Sequence, residues 1–415
     1  MPNRIATTKT AAGREAALDG LRVIDLATSY AGPTAAMYLA DLGADVIKVE
    51  RPGGEDARHW GPPFVGEDSA WFLSANRGKR SICLDIRRPD GRAALERLLE
   101  TADVLIVSFN PSKLSSLDLD PEEVTARFPQ LVYCAMSGFG LDGPDSGLPG
   151  YDLIAQARSG LMSVTGAAGG EPQRMSTALT DVMAGTVGSM TIMAALLERQ
   201  RTGRGQVLDI ALLDAALALM APRIASYAAG EPEPRPSGAT DSVLAVYQSF
   251  ATADTPLVVA VGNDGMWLRF CAAIGREDLA ADPELRTNAG RRARREGLIE
   301  DIAETLRPQA SVPLLERLRE AGIPSAPVQF LSDVLTDPQV IARGSIHPLR
   351  HGDAEPLPIV RQPWRLGGET AEDLPPVPAP GADGIEVMRE AGFSDAEVNR
   401  LIEEGILCMN LTPTS

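Results

Sequence analysis

A strand–helix–strand pattern near the start of the chain constrains the fold more than any other feature. Leu21-Arg22-Val23-Ile24-Asp25-Leu26 reads as a short buried strand, and Ala31-Gly32-Pro33 opens a helix of small residues running to Leu42. Gly43 stops that helix, and Asp45-Val46-Ile47-Lys48-Val49-Glu50 reads as a second strand. A βαβ unit of about 30 residues commits the chain to a parallel sheet with ligands at the carboxyl ends of its strands. The turn Ala27-Thr28-Ser29-Tyr30-Ala31-Gly32-Pro33 is glycine-poor and does not fit G-x-G-x-x-G, so no dinucleotide fingerprint is present.

Further strands are expected at Ser81–Ile86, Ala102–Val107 (closed by Pro111), Leu131–Met136 and Val207–Ala211, with an exposed Gly/Pro/Asp-rich loop over Leu141–Gly150. The run Glu231-Pro232-Glu233-Pro234-Arg235-Pro236 is a linker or lid and marks a boundary. Beyond it, strands at Ala245–Phe250 and Leu257–Val261 alternate with amphipathic helices from Met266, Arg292 and Val312. The expected organisation is a flexible tail over 1–17, a large Rossmann-like α/β domain from 18–227 and 329–415, and a small α/β domain over 228–328.

A net charge of −17 lacks the basic footprint that nucleic acid or an anionic membrane surface requires. No apolar run approaches transmembrane length, and the N-terminal residues lack a signal-peptide core. Cys83, Cys134, Cys271 and Cys408 are scattered without metal spacing, which fits a reduced, cytoplasmic protein. His59, His347 and His351 are too dispersed for a zinc site or a Ser-His-Asp system. G-x-S-x-G, Walker, H-E-x-x-H and kinase signatures are all missing.

What remains is a carboxylate, a glycine run and an arginine cluster. Asp181 stands before the apolar helix that ends in Arg201-Thr202-Gly203-Arg204-Gly205-Gln206, behind the glycine-rich stretch from Thr165 to Gly170. An Asp here is either a helix N-cap or a nucleophile towards a thioester or phosphoryl group, kept ionised by the helix dipole. Around the strand at Ser81, the residues Arg77, Lys79, Arg80, Arg87, Arg88 and Arg92 can either hold a polyphosphate or form a solvated helix start.

In order and spacing, a set of short motifs resembles the class III CoA-transferase family, which includes formyl-CoA and carnitine CoA-transferases and α-methylacyl-CoA racemases. The matching segments are Leu18–Leu26, Ala31-Gly32-Pro33, Leu42–Glu50, Asn76–Ser81, Gly150-Tyr151-Asp152, Gln156-Ala157, Ser159–Met162 and Thr165-Gly166. Thr202–Gln206, Gly262-Asn263-Asp264 and Gly322-Ile323-Pro324 complete them, so the resemblance runs from Leu18 to about Leu407.

The resemblance implies transfer of CoA from an acyl-CoA to a small carboxylic acid, with no tightly bound cofactor. Asp181 is the implied nucleophile, passing through an aspartyl anhydride and an aspartyl-CoA thioester. Implied CoA contacts are Tyr30, Ala31, Arg51, Leu84, Ile86, Arg87, Ser108, Phe109, Asn110, Tyr151 and Asp152, and the implied assembly is an interlocked homodimer. The chain departs from the family pattern at Ser116, where several members carry an arginine, leaving Lys113 or the basic cluster to reach the CoA phosphates. Tyr151 stands where the racemase branch has a histidine, which favours transfer over a racemase-like isomerase, because phenol titrates near pH 10. A non-catalytic CoA-binding protein is the remaining alternative.

Overall fold

Strand β1 (Arg22–Asp25) is fully buried and lies at the centre of a seven-stranded sheet. The description comes from a computed structural model and covers residues 16–240, 243–367 and 373–409. Most of the expected N-terminal tail, and Asp241 and Ser242 of the loop after Gly238, lie outside the described residues.

The remaining strands are β2 (Asp45–Glu50), β3 (Arg80–Leu84), β4 (Val104–Val107), β5 (Val132–Ser137), β6 (Val207–Ala211) and β7 (Leu407–Cys408). Their spatial order is β7-β3-β2-β1-β4-β5-β6, parallel throughout except for the antiparallel β7. Without β7 this is the 3-2-1-4-5-6 order of doubly wound α/β sheets, whose direction of winding reverses between β1 and β4. The first five parallel strands are almost entirely buried and rich in Val, Ile and Leu because helices cover both faces.

Helix α1 (Ala31–Asp41) follows β1, α2 (Pro111–Ser116) follows β4, and α3 (Asp152–Arg158) follows the loop after β5. Pro111 therefore opens a helix, as proline does at a first helical position, rather than merely closing a strand. The long helix α4 (Leu179–Thr202) packs on α1, and α5 (Leu212–Ala228) follows β6.

Contrary to the sequence expectation, α4 has the length and apolar composition to cross a membrane. Its buried Ala184, Gly185 and Gly188 make it a core helix of this unit. A Cβ at Gly185 would come within 2.7 Å of the Ala31 carbonyl oxygen, so glycine is what allows α4 to approach the start of α1.

The chain forms two compact units. The larger contains residues up to Leu161, Met175–Ala228 and those from Gln339 onward; the smaller contains Met162–Arg174 and Ala229–Pro338. The smaller unit has a three-stranded antiparallel sheet of Tyr247–Phe250, Leu257–Ala260 and Ser325–Pro327. Helices including Asp264–Ile274, Arg295–Leu306 and Ser311–Glu320 enclose its core around Trp267 and Phe270. The glycine-rich run belongs to this unit, where the Gly238 N–H donates to the Gly166 carbonyl at 2.9 Å.

Candidate active site

Two adjoining cavities of the larger unit lie at the carboxyl ends of the parallel strands, where a doubly wound sheet binds its ligands. The turn after β1 is held from beneath by two buried lysines. Lys79 Nζ donates to Asp25 Oδ2 at 2.9 Å, to Asn76 Oδ1 at 2.8 Å and to the Pro33 carbonyl at 3.0 Å. Lys48 Nζ donates to the Ala27 carbonyl at 3.0 Å. Burial lowers the Lys79 ammonium to about 8 even beside Asp25. Across the reversal point the Thr28 N–H donates to Ser108 Oγ at 2.8 Å, tying the ends of β1 and β4 together. Ser29 in this turn has φ 71°, a left-handed conformation rare for a non-glycine residue and often found at functional sites.

The first cavity, about 280 Å³, is lined by Arg51, Leu84, Ile86, Arg87 and Phe109 of the expected contacts. The second, about 370 Å³, is lined by Ala31, Ser108, Phe109, Asn110, Tyr151 and Asp181. Thr28, Phe109 and Lys113 line both. Tyr30 and Asp152 line neither cavity. Tyr30 is hydrogen-bonded through its hydroxyl to Ser74 Oγ at 2.9 Å and packs edge-on against Trp71.

Asn110 combines two duties: its Oδ1 caps α2 by accepting from the Lys113 N–H at 3.0 Å, and its amide donates to the Gly147 carbonyl at 2.9 Å. Sequence reasoning did not single out Ser29, Ser137 or Gly138, all lining the second cavity, although the strand-end rule pointed to their neighbourhood. At the mouth of that cavity, Gly138 and Gly150 bring two backbones into contact; a Cβ on Gly138 would lie 2.5 Å from the Gly150 Cα.

The arginine cluster is mostly taken up by partners within the protein. Arg77 pairs with Asp41 at 2.5 Å, Arg80 with Glu390 at 2.9 Å, and Arg92 with Asp118. Arg88 donates to the Glu404 carbonyl at 2.5 Å. Only Arg87 reaches a cavity, and it also grips Asp85 at 2.8 Å. Ser116 donates back to the Lys113 carbonyl at 2.8 Å, whereas the Lys113 ammonium has no carboxylate partner among the described residues.

Asp181 is not the N-cap of α4. Ala178 occupies that position, with no side-chain cap bond, and Asp181 sits within the first turn. The capping is done from another helix. Asp152 Oδ1 accepts from the Thr180 N–H at 2.7 Å and from its hydroxyl at 2.6 Å, while Oδ2 accepts from Gln156 Nε2 at 2.6 Å. With that amide already satisfied, Asp181 is free to face the cavity.

No donor or cation pairs with Asp181 among the described residues, although the other acids lining the cavities are paired: Glu50 with Arg58, Glu55 with Lys48, Asp56 with Arg51, and Asp85 with Arg87. Burial, helped by the negative charge of Asp152, raises the Asp181 carboxyl to about 7. The helix dipole expected to keep it ionised is outweighed by this desolvation. The arrangement offers a carboxylate nucleophile of enhanced basicity beside an elongated cleft. No cluster of metal-ligating side chains is present among the described residues.

The sequence matches CoA-transferase family III over residues 18–384. It is 38% identical to the succinate–glutarate CoA-transferase of Agrobacterium fabrum, covering 91% of this chain and 96% of that protein. It is 35% identical to the succinyl-CoA:glutarate CoA-transferase of Mus musculus, with 94% and 90% covered. The fold is similar to the crystal structure of a CaiB/BaiF family protein from Brucella suis, with a TM-score of 0.80, 36% identity, and 91% of this chain and all of that one covered. A sequence match over nearly the whole chain, on a fold shared to the same extent, shows that the chain belongs to CoA-transferase family III.

Proposed function

We propose that this CoA-transferase moves CoA from a dicarboxylic acyl-CoA such as succinyl-CoA to a small dicarboxylic acid, with Asp181 as the covalent carrier. The observation that carries the reading is an unpaired, half-buried carboxylate in a cleft whose other acids are all neutralised. The substrate class follows the names of the relatives, which act on succinate, glutarate and mesaconate.

In the chemistry the family implies, the Asp181 carboxylate attacks the thioester carbonyl, the C–S bond breaks, and a mixed anhydride and CoA thiolate form. The thiolate attacks the aspartyl carbonyl and expels the donor acid, leaving an aspartyl-CoA thioester. The acceptor carboxylate then attacks that thioester, and the released thiolate attacks the acceptor carbonyl of the new anhydride. Asp181 is regenerated, and no water, oxidant or net proton is required. A carboxyl of pKa about 7 is a better nucleophile than an ordinary aspartate yet still substantially ionised at neutral pH.

Binding of CoA along the first cavity, with Lys113 and Arg87 at its phosphates, is part of the same proposal. So are the interlocked homodimer and a cytoplasmic location. Met190 and Leu197 of α4, 57% and 64% exposed, support association through this helix. Four cysteines present as thiols support a reducing compartment.

The test is to incubate the protein with succinyl-CoA or acetyl-CoA and look by mass for a CoA-sized adduct on Asp181 that dicarboxylic acids discharge. Absence of an adduct with every donor, or its persistence in Asp181→Ala, sinks the reading.

A further inference from the structure

A third cavity, about 280 Å³, shares no lining residue with the other two. It is formed by Arg343–Ser345 and Val360–Arg365, stretches that flank a hairpin of Ile346–Leu349 paired with Leu357–Val360. The Arg361 N–H closes the base of the hairpin by donating to the Ser345 carbonyl at 2.9 Å. Trp364 packs edge-on against Tyr38 of α1, ring centroids 4.8 Å apart, fixing one wall.

Three arginines line this cavity: Arg343, Arg361 and Arg365. Arg361 is only 7% exposed, yet its guanidinium has no hydrogen bond or ion pair among the described residues. The other buried arginines are each matched by a carboxylate: Arg22 by Asp45, Arg58 by Glu50, Arg77 by Asp41 and Arg291 by Asp264. The carboxylate that acts on Arg361 is Asp41, whose Oδ2 already accepts from Arg77 and which makes no hydrogen bond to Arg361. Burial therefore holds Arg361 below the ordinary arginine value, and Arg77 and Arg365 add repulsion. The guanidinium opens onto the cavity, and with two arginines against one carboxylate around it the shortfall is one of negative oxygen atoms. Arg343 and Arg365 are also without carboxylate partners among the described residues.

We propose that this cavity binds a small oxyanion, a phosphate or a carboxylate, held by Arg361 from within and by Arg343 and Arg365 at the rim. Guanidinium groups bind both anions through charge-assisted, often bidentate, hydrogen bonds. The volume leaves room for the anion with some of its water. Because Trp364 forms part of the wall, occupancy is reported by its fluorescence.

The test titrates the full chain with inorganic phosphate and, separately, with succinate, following Trp364 fluorescence and the melting temperature. A saturable response to either anion is expected, weakened about tenfold or more in Arg361→Gln and Arg365→Gln. The fluorescence change should vanish in Trp364→Phe while the thermal shift remains. Which anion saturates at lower concentration identifies the source of the oxygens. Arg365 is exposed, so its variant tests the site even if Arg361→Gln fails to fold. Lys113→Ala should leave the Trp364 fluorescence response unchanged, separating this site from the transfer cleft. Identical curves for wild type, Arg361→Gln and Arg365→Gln overturn the proposal, as does a Trp364 fluorescence response lost in Lys113→Ala. Formation of the Asp181 adduct is read independently of all these outcomes.

Discussion

Asp152 caps a helix that begins 27 residues downstream: its Oδ1 accepts the Thr180 N–H at 2.7 Å, and the next residue on that helix is Asp181. One carboxylate thus fixes the first turn that carries another, and its charge also helps raise that second group. Asp152→Ala removes the cap and should cost about 1–2 kcal/mol of stability. It should also lower kcat by about 10–100-fold, since a small displacement of the proposed nucleophile Asp181 is expensive in rate. Asp152→Asn keeps an acceptor for Thr180 and should retain most of the stability. Chemical denaturation and steady-state kinetics on both variants check this, and equal losses in the two would remove the capping role.

The rate of adduct formation should follow the ionised fraction of Asp181. With its carboxyl raised to about 7, the rate is expected to fall about tenfold per pH unit well below that point. In Asp152→Asn the acid limb should move to lower pH, by less than the full shift, because burial is the larger cause. Rapid-quench mass spectrometry from pH 5 to 8 measures both limbs.

Stability carries the opposite sign. The folded-state carboxyl lies above its unfolded value of 3.8, so its protonated form favours the native state, and that contribution is lost as pH rises from about 4 through 7. Asp181→Asn should therefore be more stable than wild type at pH 8, by up to about 4 kcal/mol, less whatever screening cavity water provides. The gain should shrink towards pH 4. Melting curves across pH decide it, and a pH-independent difference would falsify the assignment of the raised carboxyl to this residue.

Helix α4 reaches α1 only because position 185 has no side chain. Gly185→Ala places a methyl 2.7 Å from the Ala31 carbonyl and 2.9 Å from Thr34 Cβ, so the helices must part. The expected cost is about 1–3 kcal/mol, with a loss of kcat because Ala31 and Asp181 face the same cavity. Gly297→Ala, in a helix of the smaller unit with open space around it, should instead be neutral or stabilising by up to about 1 kcal/mol.

The fold was largely legible because its signals are local. The βαβ unit from Leu21 to Glu50 and the apolar runs at Val104 and Val132 read directly as strands of a sheet covered on both faces. The two-residue strand Leu407–Cys408 carries no period of its own and exists only because β3 offers an edge. The site was harder to read for the same reason. Asp181 looked like a cap, and only the order of motifs along the whole chain pointed to it as the nucleophile. The cap's true owner, Asp152, acts from another helix. The inward pairing of Arg77 with Asp41 and of Arg80 with Glu390 joins residues 36 and 310 positions apart, which no spacing rule detects.

Because Arg77, Arg80 and Arg92 are each paired with a carboxylate, little free positive charge surrounds the strand ends. A CoA thioester is a polyanion and must approach a chain of net charge −17 without a long-range electrostatic funnel. Encounter then runs against the protein's field until the ligand is within about 8 Å at physiological salt, where the proposed contacts with Lys113 and Arg87 come within reach. Added salt shortens the repulsive reach more than it weakens the close contacts. The pairs that lock the scaffold thus predict faster ligand association at physiological ionic strength than in dilute buffer.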